Sequence, residues 1–184
     1  GVYSADLSYC VLNKQNQPSL NCMKVIRQLA VKLGMGSVFE VNNLGLRFEK
    51  NIGKEDSLAS IIAELQMQTD LYLEDNEQQH ISAIVFAGAW VESLYLGAKV
   101  NGKDKASGKV SKKIGEQMTL LNNIIHVLQS YESKDANISS LVKDLQPIMD
   151  VYAAFPAVKK AIENPEEDAE VILTEEEVNV ISKK

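Results

Sequence analysis

The sequence predicts an all-α protein, an irregular multi-helix bundle of antiparallel helical hairpins around a buried central helix at about residues 76–100. Leu, Ala, Ile, Lys, Glu and Gln recur at helical spacing, whereas strands need alternating β-branched and aromatic residues. Only four prolines and ten glycines occur among 184 residues, so few positions break a helix. Residues 83–91 are apolar without interruption. A helix that is apolar on all sides must be surrounded by other helices.

The charged residues divide the chain into a neutral body and an acidic tail. Residues 1–162 hold 17 basic and 17 acidic groups, whereas residues 163–184 hold eight acidic and two basic ones. A body of this length can bury one core, so we expect a single helical domain over residues 1–162 and an acidic C-terminal segment over 163–184. Thr174 and Glu177 form a capping box that predicts a short terminal helix in this segment. The absence of net positive charge argues against nucleic acid binding.

Apolar residues at spacings of three and four predict four helices before the central one. Their ranges are 3–14, 18–33, 37–50 and 56–74. Gly34 and Gly36 end the second helix, and Ser37 is expected to cap the third. The turn of the first hairpin is placed at residues 16–18.

The central helix is expected to start at a cap formed by Asn76 with Gln79. Residues 101–108 are predicted to be a flexible loop. Two long helices follow over 110–131 and 137–154, and a shorter one lies between Pro156 and Pro165. The buried stripe of the first of these is Ile114, Met118, Leu121, Ile125 and Leu128.

Cys10 and Cys22 face each other if the chain turns between them as an antiparallel hairpin. A disulfide is geometrically conceivable. Two small buried residues at the hairpin contact are the favoured interpretation, because free cysteine is among the most buried residue types. With two scattered histidines these cysteines make no zinc site.

Two charged patterns receive surface interpretations. Glu77 and His80 have the Glu-x-x-His spacing of dinuclear metal sites in helical bundles, but no second pair exists, so we expect surface residues at a helix start. Six lysines against one acid in residues 99–113 favour a solvated loop. The alternative for this loop is an electrostatic contact with the acidic tail, a partner or anionic lipid.

Glu92 is the one conspicuous polar residue in the central helix. An unpaired buried carboxylate is costly, so this side chain needs a partner or water. It is either a hydrogen-bonded structural contact, a residue at the helix edge that reaches solvent, or part of a ligand pocket with Trp90 and Tyr95. The candidate partners are Asp6, Tyr9, Glu116, Gln117, Asn122, Asn123 and His126.

Length and composition give no reason to expect a membrane span, because Ser82 and Glu92 bracket the longest apolar run, which falls short of the roughly 18 to 20 residues required. No phosphate-binding glycine loop and no nucleophile elbow occurs. The sequence therefore predicts no catalytic residue, no cofactor and no metal.

Five stretches of the chain form a recognisable set: GVYSADLSY (1–9), EKNIGKEDSL (49–58), TDLYL (69–73), AGAWVESLY (87–95) and GEQ (115–117). Together they resemble a family of uncharacterised cell-envelope proteins of Bacteroides-type bacteria. The resemblance reaches about residue 154, and Ala-Gly-x-Trp-x-Glu-x-Leu-Tyr is its most specific part.

The resemblance implies a helical, periplasm-facing, lipid-anchored protein without an assigned activity. The leader and lipid-bearing cysteine of such proteins are missing, as expected of a trimmed chain, so membrane association is expected only through a lost lipid anchor. An oxidising periplasm would favour a bridge between Cys10 and Cys22.

The leading hypothesis is a non-enzymatic helical binding or interaction module of the cell envelope, with a protein or small-molecule partner. The alternative is an enzyme, or a metal or small-ligand binder, that uses a buried carboxylate cluster. If the carboxylates in the family-like stretches converge, they would share protons or hold a cation. The candidate ligand-binding residues are Asp6, Tyr9, Asp70, Trp90, Glu92, Tyr95 and Glu116.

Overall fold

The protein is all-α, as predicted, in a computed structural model that describes residues 1–101, 109–156 and 159–160. Within these ranges the regular structure is entirely helical. The α-helices are α1 (Val2–Leu12), α2 (Asn16–Lys32), α3 (Leu44–Lys50), α4 (Glu55–Asp75), α5 (Gln79–Asn101), α6 (Lys109–Ser130) and α7 (Ala136–Ala153), and two 3₁₀ helices, Gly36–Phe39 and Val41–Asn43, precede α3.

The contacts within the chain group its residues into two compact units, Gly1–Glu92 and Ser93–Lys184. The boundary falls inside α5, between Glu92, the one carboxylate of this helix, and Ser93. Compactness alone does not make a unit an independently folding domain. The single domain predicted for residues 1–162 and the separate acidic segment therefore stay predictions.

The first hairpin turns earlier than the sequence suggests. Lys14 adopts a left-handed conformation with φ of 56°, and α2 already begins at Asn16, so the turn predicted at 16–18 is wrong. Pro18 lies in the first turn of α2. Backbone N–H groups there have no partner within the helix, so the missing N–H of proline costs no helical hydrogen bond, and its fixed φ suits the helix. The short turn lets α1 and α2 pack against each other along their length.

The third predicted helix is broken in the middle. Asn42 and Asn43 both have φ near 50°, in the left-handed region that asparagine tolerates better than most residues. The Asn42 amide donates to Glu64 Oε1 at 2.8 Å, and Arg47 Nη1 lies 2.7 Å from Glu64 Oε2. These bonds connect the break and α3 to α4, and they lower the pKa of Glu64, the Asn42 bond most.

The start of α5 differs from the prediction in its cap. Asn76 is the C-cap residue of α4, and its side-chain amide donates to the Tyr72 carbonyl at 2.7 Å. Glu77 follows with φ of 56°. Asn76 therefore ends one helix instead of starting the next, because its backbone N–H and its side-chain amide both donate to the Tyr72 carbonyl in the last turn of α4.

Each unit has its own apolar core. In the first unit Phe48, Leu73, Leu7 and Leu44 are at most 1% exposed and form the centre of one cluster with residues of α2, α4 and the 3₁₀ segment. The Tyr72 hydroxyl donates to the Gly34 carbonyl at 2.9 Å at the edge of this core. In the second unit α6 packs against α7, and all five residues of the predicted α6 stripe are buried.

The prediction that the central helix is buried is wrong. Only Ala87 and Trp90 are buried among the described side chains of α5, and Phe86 and Tyr95 are 52% and 54% exposed. Most of its other apolar side chains are half-buried. An apolar sequence shows that a surface is costly to expose, but it does not show how much of that surface the same chain covers.

Three sequence predictions lie outside the described residues. They are the flexible loop, whose residues 102–108 are not described, the helix between Pro156 and Pro165 beyond its first residues, and the terminal helix with its capping box.

The side chain of Asp135 caps α7 and gives a direct test of the local structure. Its Oδ1 accepts from the Asn137 backbone N–H at 2.8 Å. Asp135→Ala leaves this N–H without its acceptor and should lower the free energy of unfolding by about 1 kcal/mol. Asp135→Asn keeps the acceptor and should stay close to the wild type. Chemical denaturation followed by helical circular dichroism measures both, and equal losses in the two variants would show that charge, not capping, matters at this residue.

Candidate functional site

The candidate site is built where the start of α1 meets the middle of α5. The backbone of Gly1 lies so close to this part of α5 that a Cβ on Gly1 would overlap the Val85 carbonyl oxygen. On the facing side, a Cβ on Gly88 would lie 3.5 Å from Gly1 Cα and from the Val2 nitrogen, an ordinary van der Waals separation. Two glycines at one crossing allow this close backbone approach.

One turn further along, the side chains of Asp6 of α1 and Glu92 of α5 form a carboxyl pair. The pKa of Glu92 is raised by desolvation first, then by the negative charge of Asp6, and then by the hydrogen bond to Asp6. Asp6 is one of the partners that the sequence suggests for Glu92.

The thiols of Cys10 and Cys22 lie at the contact of α1 with α2, also close to Asp6. Both are free. Cys10 is buried and Cys22 is half-buried, which fits the favoured interpretation of small residues at a hairpin contact. The Cys10 thiol donates to Gln15 Oε1 at 3.7 Å. Burial is the largest cause that raises both thiol pKa values, that of Cys22 to about 11.

Trp90 is 5% exposed, and its indole Nε1–H has no hydrogen-bond partner among the residues that the structure describes. Buried polar groups are nearly always hydrogen-bonded, so this donor is an exception that destabilises the fold or serves a role of its own. The indole is the largest side chain that α5 buries.

The remaining candidates of the first unit are Tyr9 and Asp70. Tyr9 is a half-buried residue of α1. Asp70 is exposed and accepts from the Ser82 hydroxyl at 3.2 Å. Ser82 is ten residues before Glu92, which corresponds to about 15 Å along a helix. The structure therefore does not bring Asp70 to the carboxyl pair.

Tyr95 and Glu116 belong to the second unit. Lys99 Nζ lies 5.2 Å from the centre of the Tyr95 ring, within the range of a cation–π contact. Glu116 accepts from Lys113, three residues before it on α6. In both cases a lysine of the lysine-rich stretch contacts a predicted site residue of its own unit.

Glu77 and His80, which have the Glu-x-x-His spacing, do not lie on one helical face. Glu77 precedes α5 and has a left-handed backbone, so Glu77 and His80 lack the i, i+3 relation of a continuous helix. In the part of the chain that the structure describes, no group of three or more His, Cys, Asp and Glu side chains could hold a metal ion.

A cleft that the sequence analysis missed lies between α2 and α3 in the first unit. Its volume is about 590 Å³, and Met23, Phe39 and Ile52 supply apolar walls while Lys24 and Glu49 supply opposite charges. No single motif marks it, because the lining residues come from three separated stretches. It is broadly open to solvent, and it contains none of the predicted site residues.

The length of α5 is the second feature that was missed. Gln79–Lys99 is long and apolar enough to cross a membrane by length and composition, and it is the one such helix among the described residues. The contiguous apolar run ends at Glu92, but the average over the whole helix is still apolar. Core helices of soluble proteins pass the same test, so this finding alone does not place α5 in a bilayer.

No protein-family model, no curated protein and no solved structure matches the chain. The resemblance to the cell-envelope family stays a prediction, and the function has to be inferred from the geometry of the site.

The carboxyl pair predicts a stability that depends on pH. Because the folded-state pKa of Glu92 is raised, the pair stabilises the fold fully below the unfolded value of about 4.3, and this contribution is lost as the pH rises through the folded value. Glu92→Gln supplies a neutral donor at every pH. It should therefore raise stability at pH 7, by no more than about 1 kcal/mol for a pair in contact with solvent, and change little near pH 4.

Urea denaturation at both pH values checks this prediction, with Glu40→Gln as the control because Glu40 is an exposed carboxylate of the same unit. If Glu92→Gln is no more stable than the wild type at pH 7, the two carboxyls do not repel each other in the folded protein.

The unpaired indole gives a second prediction. Trp90→Phe removes the unpaired N–H and keeps an aromatic ring. The packing that the smaller ring loses and the desolvation cost that the missing N–H relieves oppose each other, so the free energy of unfolding should stay within about 1 kcal/mol of the wild type. Trp90→Ala removes the ring and should cost about 3 to 5 kcal/mol. Circular dichroism in urea measures both, and a loss in Trp90→Phe as large as that in Trp90→Ala would show that the indole N–H has a partner.

Proposed function

We propose that this protein is a non-enzymatic helical interaction module of the bacterial cell envelope, and that α5 binds an apolar helix of a protein partner. The observation that supports this proposal most strongly is the incomplete burial of an almost wholly apolar helix. Phe86 is 52% exposed, and only Ala87 and Trp90 are buried among the described side chains of α5. Apolar surface that the chain does not cover is typical of binding surfaces.

The faces of α5 have different roles in this proposal. Val85, Gly88 and Glu92 lie on the side that meets α1. Phe86 lies about a third of a turn away from this side, since successive residues are about 100° apart. Its neighbours one turn away are Ser82, Ala83 and Ala89, all small, and Trp90, which is buried. A large exposed ring among small neighbours suits insertion between the side chains of a facing helix.

A protein partner suits this surface better than the interior of a bilayer. The carboxyl pair of Asp6 and Glu92 lies on the same helix, and ionisable groups within a membrane are costly. Ser82 and Ser93, four residues before and seven residues after Phe86 on α5, also add hydroxyl groups to the face that carries Phe86. A protein partner can meet such groups with hydrogen bonds, whereas lipid tails cannot.

The assignment to the cell envelope is supported by the resemblance of residues 87–95 and four other stretches to envelope proteins. The alternative, an enzyme or a metal or small-ligand binder, has less support. Within the first unit, Asp70, one of the carboxylates proposed for the cluster, lies apart from the pair of Asp6 and Glu92.

Site-specific photo-crosslinking tests the proposal. A benzophenone amino acid replaces Phe86 in the full chain, produced in the native host with its envelope intact. Irradiation should give one discrete adduct that cofractionates with the envelope, because the ring at this position contacts the partner.

The matched control is the same replacement at Leu71, which is 47% exposed on α4 in the same unit. It should give no discrete adduct. If neither position crosslinks, or if both give the same mixture of adducts, α5 is not the binding helix. An adduct with lipid alone would contradict the choice of a protein partner.

A further inference from the structure

We infer that the cleft between α2 and α3 binds an apolar dipeptide with a free amino end and a free carboxyl end. The cleft contains no residue of α5, so this site goes beyond the proposed helix partner and does not depend on it. Two features support the inference. The cleft has an apolar floor, and unlike charges without partners of their own stand on its two walls.

The cleft exists because its two walls do not pack against each other. α2 packs against α1 and the first 3₁₀ helix, and α3 packs against α4, whereas α2 and α3 make few contacts with each other. Phe39, at the end of the first 3₁₀ helix, lines the space between them. The volume of about 590 Å³ is in the range of sites that hold small ligands.

The two walls run in opposite directions along the cleft. A Cβ on Gly45, near the start of α3, would lie 3.9 Å from Arg27 Nη1, in the second half of α2. A Cβ on Gly53, just after α3, would lie 3.8 Å from Asn16 Nδ2, at the start of α2. The lining residues Gln17 and Arg27 are ten residues apart, so the cleft is about 15 Å long beside α2.

The floor of the cleft is apolar. Met23 and Phe39 are only 6% and 5% exposed, and Leu20 and Ile52 are half-buried. All four line the cleft. Apolar side chains of a ligand would displace water from this floor, which is the main favourable contribution in most small-ligand sites.

The charged side chains of the cleft stand on opposite walls. Lys24 and Arg27 are three residues apart on one face of α2, and Glu49 belongs to α3. Within the described residues, none of these three side chains takes part in a hydrogen bond or an ion pair. A ligand with one carboxylate and one ammonium group would pair with both walls at once.

The spacing of the charges selects the length of the ligand. Arg27 reaches α3 at Gly45, and Glu49 is four residues further along, or about 6 Å on a helix. A chain of two residues spans at most about 7 Å. A dipeptide whose carboxylate pairs with the Arg27 guanidinium therefore brings its ammonium to Glu49, and its side chains can lie on the floor between them.

Other ligands of similar size match the charges less well. A fatty acid would pair with Arg27 but would place its alkyl chain against the Glu49 carboxylate, which loses water without gaining a partner. An internal segment of a long peptide has no terminal charges to offer either wall. Recognition of both ends thus distinguishes the dipeptide from these ligands.

The test titrates the full ¹⁵N-labelled chain with leucyl-leucine and follows the backbone N–H signals by two-dimensional NMR. We expect saturable shifts at the residues that line the cleft and none on α7. N-acetyl-leucyl-leucine lacks the ammonium, and leucyl-leucine amide lacks the carboxylate. Each should bind about fivefold more weakly, because each loses one charge-assisted contact.

Charge-neutralising variants assign each end of the ligand to its wall. Glu49→Gln should bind leucyl-leucine and its acetylated form equally well. The double variant Lys24→Gln with Arg27→Gln should bind leucyl-leucine and its amide equally well. The matched control is Lys32→Gln, an exposed cation of α2 that does not line the cleft, and it should behave as the wild type. All these side chains are exposed, so the variants should fold.

Three results would overturn the inference. The first is the absence of saturable shifts at the lining residues with leucyl-leucine up to about 10 mM, a concentration at which even weak sites are partly filled. The second is a set of shifts confined to other residues. The third is equal affinity of the wild type for all three ligands, because the charges on the two walls would then play no part in binding.

Discussion

The arrangement of the first unit depends on how α1 packs. Its buried face contacts α2 and α4, while its first residues approach α5 so closely that Gly1 has no room for a side chain. The same helix carries Asp6 to Glu92 and Cys10 to Cys22. Both the carboxyl pair and the thiol pair therefore include a residue of α1. Any change that shifts α1 changes the two pairs together.

The packing of α1 also explains why α5 is only partly covered. The start of the chain approaches one side of α5 at Gly1 and Gly88, and Phe86 stays exposed. Hydrophobic burial contributes about 25 cal/mol for each Å² of apolar surface removed from water, so an exposed aromatic ring is a substantial unused source of binding free energy. The proposed interaction with a partner helix would use this surface without disturbing the contacts that α1 already makes.

Most of the fold could be predicted because helical periodicity is a local property. The limits of α1, α4, α6 and α7 agree with the predicted ones to within a few residues, and the stripe on α6 is buried as expected. The break at Asn42 and Asn43 could not be predicted, since the apolar spacing continues across it and the side chain of Asn42 is bonded to Glu64, which lies 22 residues further along the chain. The covering of α5 was missed for a similar reason: periodicity shows which residues avoid water, but not which other helix reaches them. For the candidate site, Asp6 was one of several possible partners of Glu92. The sequence could not decide among them, because the pairing depends on the crossing of two helices that lie far apart in the chain.

The most direct test of this account measures the solvent exposure of two residues on one helix. Hydroxyl-radical footprinting with mass spectrometry reports the oxidation of Phe86 and Trp90, which lie one turn apart on α5 and both react readily when accessible. The account predicts that Phe86 is oxidised in the native chain and that Trp90 is protected until the protein unfolds. Protection of both residues would contradict it, because α5 would then be the fully buried helix that its sequence suggests and would have no apolar surface left for a partner.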